Sequence, residues 1–240
     1  MTGAAVLAVS SSLSGPAVAQ DISINFGQGA GLTERVIQLI ALITVLSLAP
    51  SILVMMTSFT RIVVVLSLLR TALGTGTAPP NAVIVALALF LTAFVMGPAF
   101  QNAYDTGVRP LLNNEITTEQ AFERAAGPFR TFMLKNVREK DLALFLDMSR
   151  EAKPATPEEV SLRILVPAFM ISELRRAFEI GFLLFLPFLI IDLVVASVLM
   201  SMGMMMLPPV VVSLPFKLIF FVLVDGWTLV AGSLIQSYGT

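Results

Sequence analysis

The sequence predicts an all-α membrane protein with about four apolar helical segments, kinked at prolines, around a polar helical middle region. Three observations carry that prediction. Hydrophobic residues make up 56% of the 240 residues and charged residues only 13%, about half the charged share of a soluble domain. Long apolar runs recur at 36–58, 82–96, 180–200 and 214–235, all but the second reaching the roughly 20 residues that a bilayer helix needs. More than half of all charges fall within 101–159, with both signs interleaved, as in a water-facing region. Lipid or partner subunits must cover the apolar surplus.

Composition also excludes functions. Net charge is −1, so no basic field is available for nucleic acid. Cysteine and histidine are both absent, which removes thiolate chemistry and the commonest general base and transition-metal ligand. No P-loop, GxSxG or HExxH pattern occurs. An intramembrane aspartyl protease needs two aspartates that share a proton. Asp192 and Asp225 are the two aspartates in the apolar runs, and neither stands in a motif for that chemistry. No enzyme, no cofactor and no metal site is expected.

Along the chain, residues 1–19 read as a cleaved signal peptide: a short apolar run precedes Ala17-Val18-Ala19, the small residues a signal peptidase reads, although no Lys or Arg occurs before Arg35. Residues 20–35 form an exported N-terminal segment. The run 36–58 contains Pro50, a kink site, and apolar character resumes at 62–69 between Arg61 and Arg70, so the helix is expected to continue past one membrane thickness. Gly74 to Pro80 is a turn by composition. Its flanking arginines place it on the cytoplasmic side. Asn81 caps a second helix expected to end near Gly97-Pro98.

Residues 101–160 form the polar region, placed outside the cytoplasm by that topology. Thr117 and Gln120 have capping-box spacing. Phe122, Ala126, Phe129 and Met133 make a helical stripe, with a break or kink expected at Gly127-Pro128. Leu142, Phe145 and Leu146 mark a further short helix. Thr156-Pro157-Glu158-Glu159 is a helix start signal, leading into the apolar region 161–240. Pro167 and Pro187 are kink sites there. A charged island, Ser172 to Glu179, interrupts the apolar character, and the spacings Glu173–Arg176 and Arg175–Glu179 allow local pairs. An uncharged connection precedes a last span over 214–235.

Candidate functional residues are the charges in or beside apolar segments: Arg61, Glu173, Arg175, Asp192, Lys217 and Asp225. A charge at the bilayer centre costs at least about 2.5–3.5 kcal/mol, so each is expected to face a partner, water or a pore. Two readings stay open. Asp192 and Lys217 could pair between helices or subunits, with Lys217 free to snorkel, or Asp192, Asp225 and Lys217 could relay protons. The Met-rich loop 200–209, ending at Pro208-Pro209, is soft and repacks at little cost; it suits either gap-filling or a yielding seal.

Several motifs carry a resemblance over most of the chain: Phe59-Thr60-Arg61, Leu68 to Gly74, Ala78-Pro79-Pro80-Asn81, Pro187 to Val194, Met202 to Pro209, Leu214-Pro215-Phe216-Lys217, Val224-Asp225-Gly226-Trp227 and Gln236-Ser237-Tyr238. They resemble the FliP/SctR family of type III secretion export-gate subunits. The resemblance implies a core subunit of the gate at the base of the bacterial flagellum, in the inner membrane. Several copies would assemble with FliQ-like and FliR-like subunits into a helical, conical complex around a pore that passes unfolded flagellar export substrates. It implies two bent helical hairpins, 36–100 and 161–240, with an extracytoplasmic middle region that takes part in oligomerisation. It further implies that Met204, Met205 and Met206 form a gasket narrowing the pore, and that Glu173 serves subunit contacts.

Overall fold

The computed structural model of the protein describes residues 54–149, 154, 156–204 and 206–239, together with the helical positions 36, 37, 39, 40, 43, 44, 47 and 51. The signal-peptide reading and the kink at Pro50 lie outside the described residues. Contacts divide the chain into two units, 1–46 and 47–240. The second unit holds every helix from Phe59 onward.

Its described elements are helical throughout, with no strand among the described residues. Helix α1 spans Phe59–Leu73. It does not simply extend the preceding run: a turn at 56–58 separates the two. Gly74, with φ +75°, closes it in the left-handed conformation that glycine adopts without penalty.

Helix α2 runs over Asn81–Leu112, well beyond the expected end at Gly97-Pro98. Pro98 removes one ladder bond, but packing on both sides of it holds the helix together. Met96 and Ala103 are both buried in one cluster. A π-turn over Tyr104–Val108 interrupts α2 where it meets α3, Thr118–Asn136. The reason is close approach: a Cβ at Gly107 would lie 2.7 Å from the Ala121 carbonyl oxygen and from Ala125 Cβ. That contact also rotates α3 from the expected face. Ala121, Phe129 and Met133 are buried, while Phe122 is exposed. The capping box forms as expected, with Gln120 N donating to Thr117 Oγ1 and Thr117 N to Gln120 Oε1, each at 3.4 Å. α3 runs without a break through Gly127-Pro128.

Helix α4, Glu139–Met148, lies against α5, Leu162–Ser201. The Thr156 start signal yields only a 3-10 turn, Pro157–Glu159, and α5 begins after Ser161. The charged island does not interrupt α5. At 40 residues and 1.5 Å per residue it is about 60 Å long, twice the hydrocarbon thickness of a bilayer. The expected single last span is instead two helices, α6, Pro209–Leu223, and α7, Gly226–Gln236, bent by 63°. Asp225 sits at the bend with φ +50°, and Gly226 lies so close to Phe221 that a Cβ would meet its ring at 2.1 Å.

Two cores result. One joins α1 to α2, α5, α6 and α7 through Ile62, Leu69, Ala88, Phe188, Phe221 and Leu234. The other joins α2, α3 and the start of α5 through Met96, Phe129, Met133, Leu165 and Phe169. α2 and α5 are each long and apolar enough to cross a membrane, and α6 with α7 make a third such length if taken as one broken span. Much of this apolar surface is uncovered. Phe182, Leu183, Ile190, Leu193 and Val194 of α5 are all exposed. Burying such a side chain is worth about 1.5–3 kcal/mol, so the outer face of α5 favours lipid or another subunit over water. The chain is an all-α protein of the membrane type.

Candidate functional site

Three places hold the residues singled out from sequence. The first is a buried charge cluster between α1 and α5. Arg61, in the first turn of α1, is 1% exposed and Glu173, in the first third of α5, is 0% exposed. The guanidinium forks onto the carboxylate: Nε donates to Oε2 at 2.8 Å, and Nη2 donates to Oε1. Nη1 turns the other way and donates to Ser237 Oγ at 2.9 Å. Tyr238 closes the cluster. Its hydroxyl donates to Glu173 Oε2 at 2.5 Å and lies 3.4 Å from the Ser58 carbonyl oxygen. Its ring centroid is 3.8 Å from Arg61 Cζ, and the ring stacks on Phe132 at 5.7 Å.

The chemistry suits burial. A bidentate arginine–carboxylate pair is the strongest ion-pair geometry available to a protein, and every further lone pair or proton needs a partner once water is gone. Ser237 and Tyr238 supply them. Burial, followed by the neighbouring Glu173 charge, pushes the Tyr238 phenol far above its ordinary value, so it stays a hydrogen-bond donor. Glu173 does not meet Arg176, as the three-residue spacing suggested: the carboxylate is buried inside the chain against Arg61 instead. Arg175 does meet Glu179, at 3.2 Å, with both side chains exposed. Such a pair contributes little stability.

The second place joins α5, α6 and the end of α1. Lys217 Nζ donates to Asp192 Oδ2 at 2.7 Å and to the carbonyl of Ala72 at 3.2 Å. Ser213 Oγ donates to Asp192 Oδ1 at 2.5 Å. Lys217 therefore does not snorkel outward; it is 3% exposed. The Ala72 carbonyl belongs to the last turn of α1, where the helix dipole is negative and attracts a cation. Asp225 does not join this pair. It stands exposed at the α6–α7 bend.

The third place is the methionine loop between α5 and α6. α5 closes by a Schellman motif: Met204 N donates to Leu199 O at 3.0 Å, Gly203 N donates to Met200 O at 3.1 Å, and Gly203 has φ +75°. The loop then projects its side chains. Met202 and Met204 are exposed, and Met206 is 98% exposed. Met205 lies outside the described residues. An apolar groove of about 470 Å³ runs back from the loop between α5 and α6, lined by Val194, Val198, Leu199 and Phe216 among others. Met202, Met204 and Met206 do not fill an interior gap of the chain.

A family model described as the FliP family matches residues 42–234. The flagellar biosynthetic protein FliP of Caulobacter vibrioides is 66% identical over 217 residues, covering 90% of this chain and 82% of the relative. That of Bacillus subtilis is 55% identical over 202 residues, 84% and 91% of the two chains. That of Aquifex aeolicus is 51% identical over 219 residues, 90% and 91%.

The chain belongs to the FliP family.

The FliP match takes in Arg61, Glu173, Asp192, Lys217, Asp225 and the methionine loop, while Ser237 and Tyr238 lie just beyond it. In the sequence those two residues belong to a motif and carry no role of their own. No periodicity or spacing marks a tyrosine two residues past a helix as the partner of a glutamate 65 positions earlier. Tyr238 is one of two tyrosines in a strongly apolar chain, and that rarity is the one signal the sequence held.

Proposed function

We propose that the chain is a pore-forming core subunit of the flagellar type III protein export gate, passing unfolded flagellar proteins across the inner membrane. The observation that carries this reading is the methionine loop, held out at the tip of the α5–α6 hairpin with Met206 almost wholly exposed, in a chain whose relatives are named flagellar biosynthetic proteins. A flexible thioether surface seals against irregular shapes and repacks when they change. Met204, Met205 and Met206 form the gasket.

The remaining geometry supports the same reading. The uncovered apolar faces of α2 and α5 call for neighbours, and further copies of the chain with FliQ-like and FliR-like subunits supply them. A helix of about 60 Å fits a subunit whose two bent hairpins, 36–100 and 161–240, stand partly outside the hydrocarbon layer. The polar region 101–160 is extracytoplasmic and contributes to oligomerisation, after export led by a cleaved segment at 1–19. Arg61, Glu173, Asp192 and Lys217 neutralise one another inside the protomer and serve its architecture.

Two experiments test this. Replacing Met204, Met205 and Met206 by Gly leaves assembly intact and makes the membrane leaky to small ions and solutes; a tight membrane removes the loop as the seal. Crosslinking a stalled cargo chain captures the loop; crosslinks confined to partner subunits make the chain a scaffold instead. The competing reading is a proton-coupled transporter subunit that uses Asp192, Lys217 and Asp225 as a relay. It predicts an Asp192→Asn complex that assembles fully and transports nothing.

A further inference from the structure

The two buried charge sites engage opposite ends of one helix. Arg61 is in the first turn of α1, and Ala72 is the second-last residue of α1. They stand eleven positions apart along the helix, about 17 Å. The C-terminal segment is attached at both points. Lys217 of α6 holds the Ala72 carbonyl, and Ser237 and Tyr238, after α7, hold Arg61 and Glu173. Between these points the segment turns by 63°. The corner is a built one: Trp227 packs edge-on against Phe221 at 5.3 Å, and Gly226 leaves room for that ring.

We infer that α6–α7 is a strap clipped to both ends of α1, and that Ser237-Tyr238 is the clip that keeps α7 docked. The Tyr238 clip binds three elements at once. Its hydroxyl reaches Glu173 on α5, its ring covers Arg61 on α1, and it stacks on Phe132 of α3. Apart from this clip, α7 buries Gly226, Val230 and Leu234, a narrow stripe on a helix of 11 residues. A helix that short is marginal alone, so the loss of one end is expected to release it locally without unfolding the rest. Tyr238 is thus a positioning residue: it sets where α7 and the elbow sit on the protomer. This inference stands independently of the export-gate reading, because it concerns one chain.

The absence of cysteine makes the test direct. Val230→Cys reports on α7, being 4% exposed, and Ala168→Cys reports on the packed start of α5, being 0% exposed. Each is placed singly in the full-length chain, purified in detergent, and its maleimide labelling rate is measured with Tyr238 intact and with Tyr238→Ala. The expected result is a rise of at least about tenfold at position 230 with no change at position 168. Tyr238→Phe, which keeps the ring contacts and loses the hydroxyl, gives a smaller rise at 230 alone. Unchanged labelling at 230 in Tyr238→Ala overturns the inference, because the clip then holds nothing. Equal rises at both positions overturn it too, because Tyr238 then contributes only to global stability.

Discussion

Replacing Glu173 by Gln leaves the Arg61 guanidinium 1% exposed with no charge to face. The side chain keeps its shape, so the loss is electrostatic. Breaking a buried pair by neutralising one partner costs about 3–5 kcal/mol, or about two to four powers of ten in the folding equilibrium at 1.36 kcal/mol per decade. Arg61→Met is expected to cost a similar amount, because the Glu173 carboxylate is then stranded with Tyr238 as its remaining donor. The double variant Arg61→Met with Glu173→Met removes both charges together, and buried pairs replaced by apolar residues of similar volume are often neutral. What remains is the Tyr238 hydroxyl with only the long bond to the Ser58 carbonyl, a cost of at most about 1–3 kcal/mol, which a further Tyr238→Phe change removes. The double variant should therefore fall short of the sum of the singles by at least about 3 kcal/mol. Equilibrium unfolding in detergent micelles, followed by circular dichroism and by the single tryptophan, Trp227, gives the four corners of the cycle: the parent, Arg61→Met, Glu173→Met and the double variant. Additive singles, or a Glu173→Gln protein within about 0.5 kcal/mol of the parent, would refute the claim that this pair ties α1 to α5.

Asp192→Asn leaves the Lys217 ammonium with the Ala72 carbonyl and a neutral amide, and the expected outcome is lower recovery of assembled complex on extraction; normal recovery argues against a structural role for the pair. With Tyr104→Phe, Tyr238 becomes the sole tyrosine, and its phenolate absorbance should stay absent until the protein unfolds. Its folded-state value is raised, so the stability it contributes is fully present below the unfolded value of about 10 and declines as pH rises beyond it; a phenolate signal in the folded protein near pH 10 contradicts the burial. Gly226→Ala forces a methyl toward the Phe221 ring and should cost about 1–3 kcal/mol. Gly232→Ala meets nothing within 4 Å in α7 and should stabilise by about 0.5–1 kcal/mol; thermal melts of the two compare them directly.

Local features of the fold were legible in order along the chain. The capping box at Thr117 and Gln120 needs only local spacing, and it formed. Helix ends read from proline were less secure. Gly97-Pro98 and Gly127-Pro128 look like breaks in sequence, yet α2 and α3 run through both, because the lost ladder bond is small beside the packing of Met96, Phe129 and Met133. The face of α3 departs from its hydrophobic stripe for a related reason. Hydrophobicity favoured Phe122, while the close approach at Gly107 favoured the small side chains of Ala121 and Ala125. The split of the last span at Asp225 left no mark in hydropathy, because the segments on both sides are apolar.

The amino-acid sequence by itself determined the medium and the fold class. Surplus apolar surface and scarce charge are sums over residues, and they need no knowledge of which residues meet. It also determined the family, through motifs that lie along the chain. The tertiary structure alone decided the pairing of the charges. Glu173 had Arg176 within local reach and chose Arg61, 112 positions away, because there a planar fork and the Tyr238 hydroxyl satisfy it without water, while Ser237 satisfies the arginine. Long-range pairing is settled by burial, and burial is a property of the packed helices rather than of any segment read on its own.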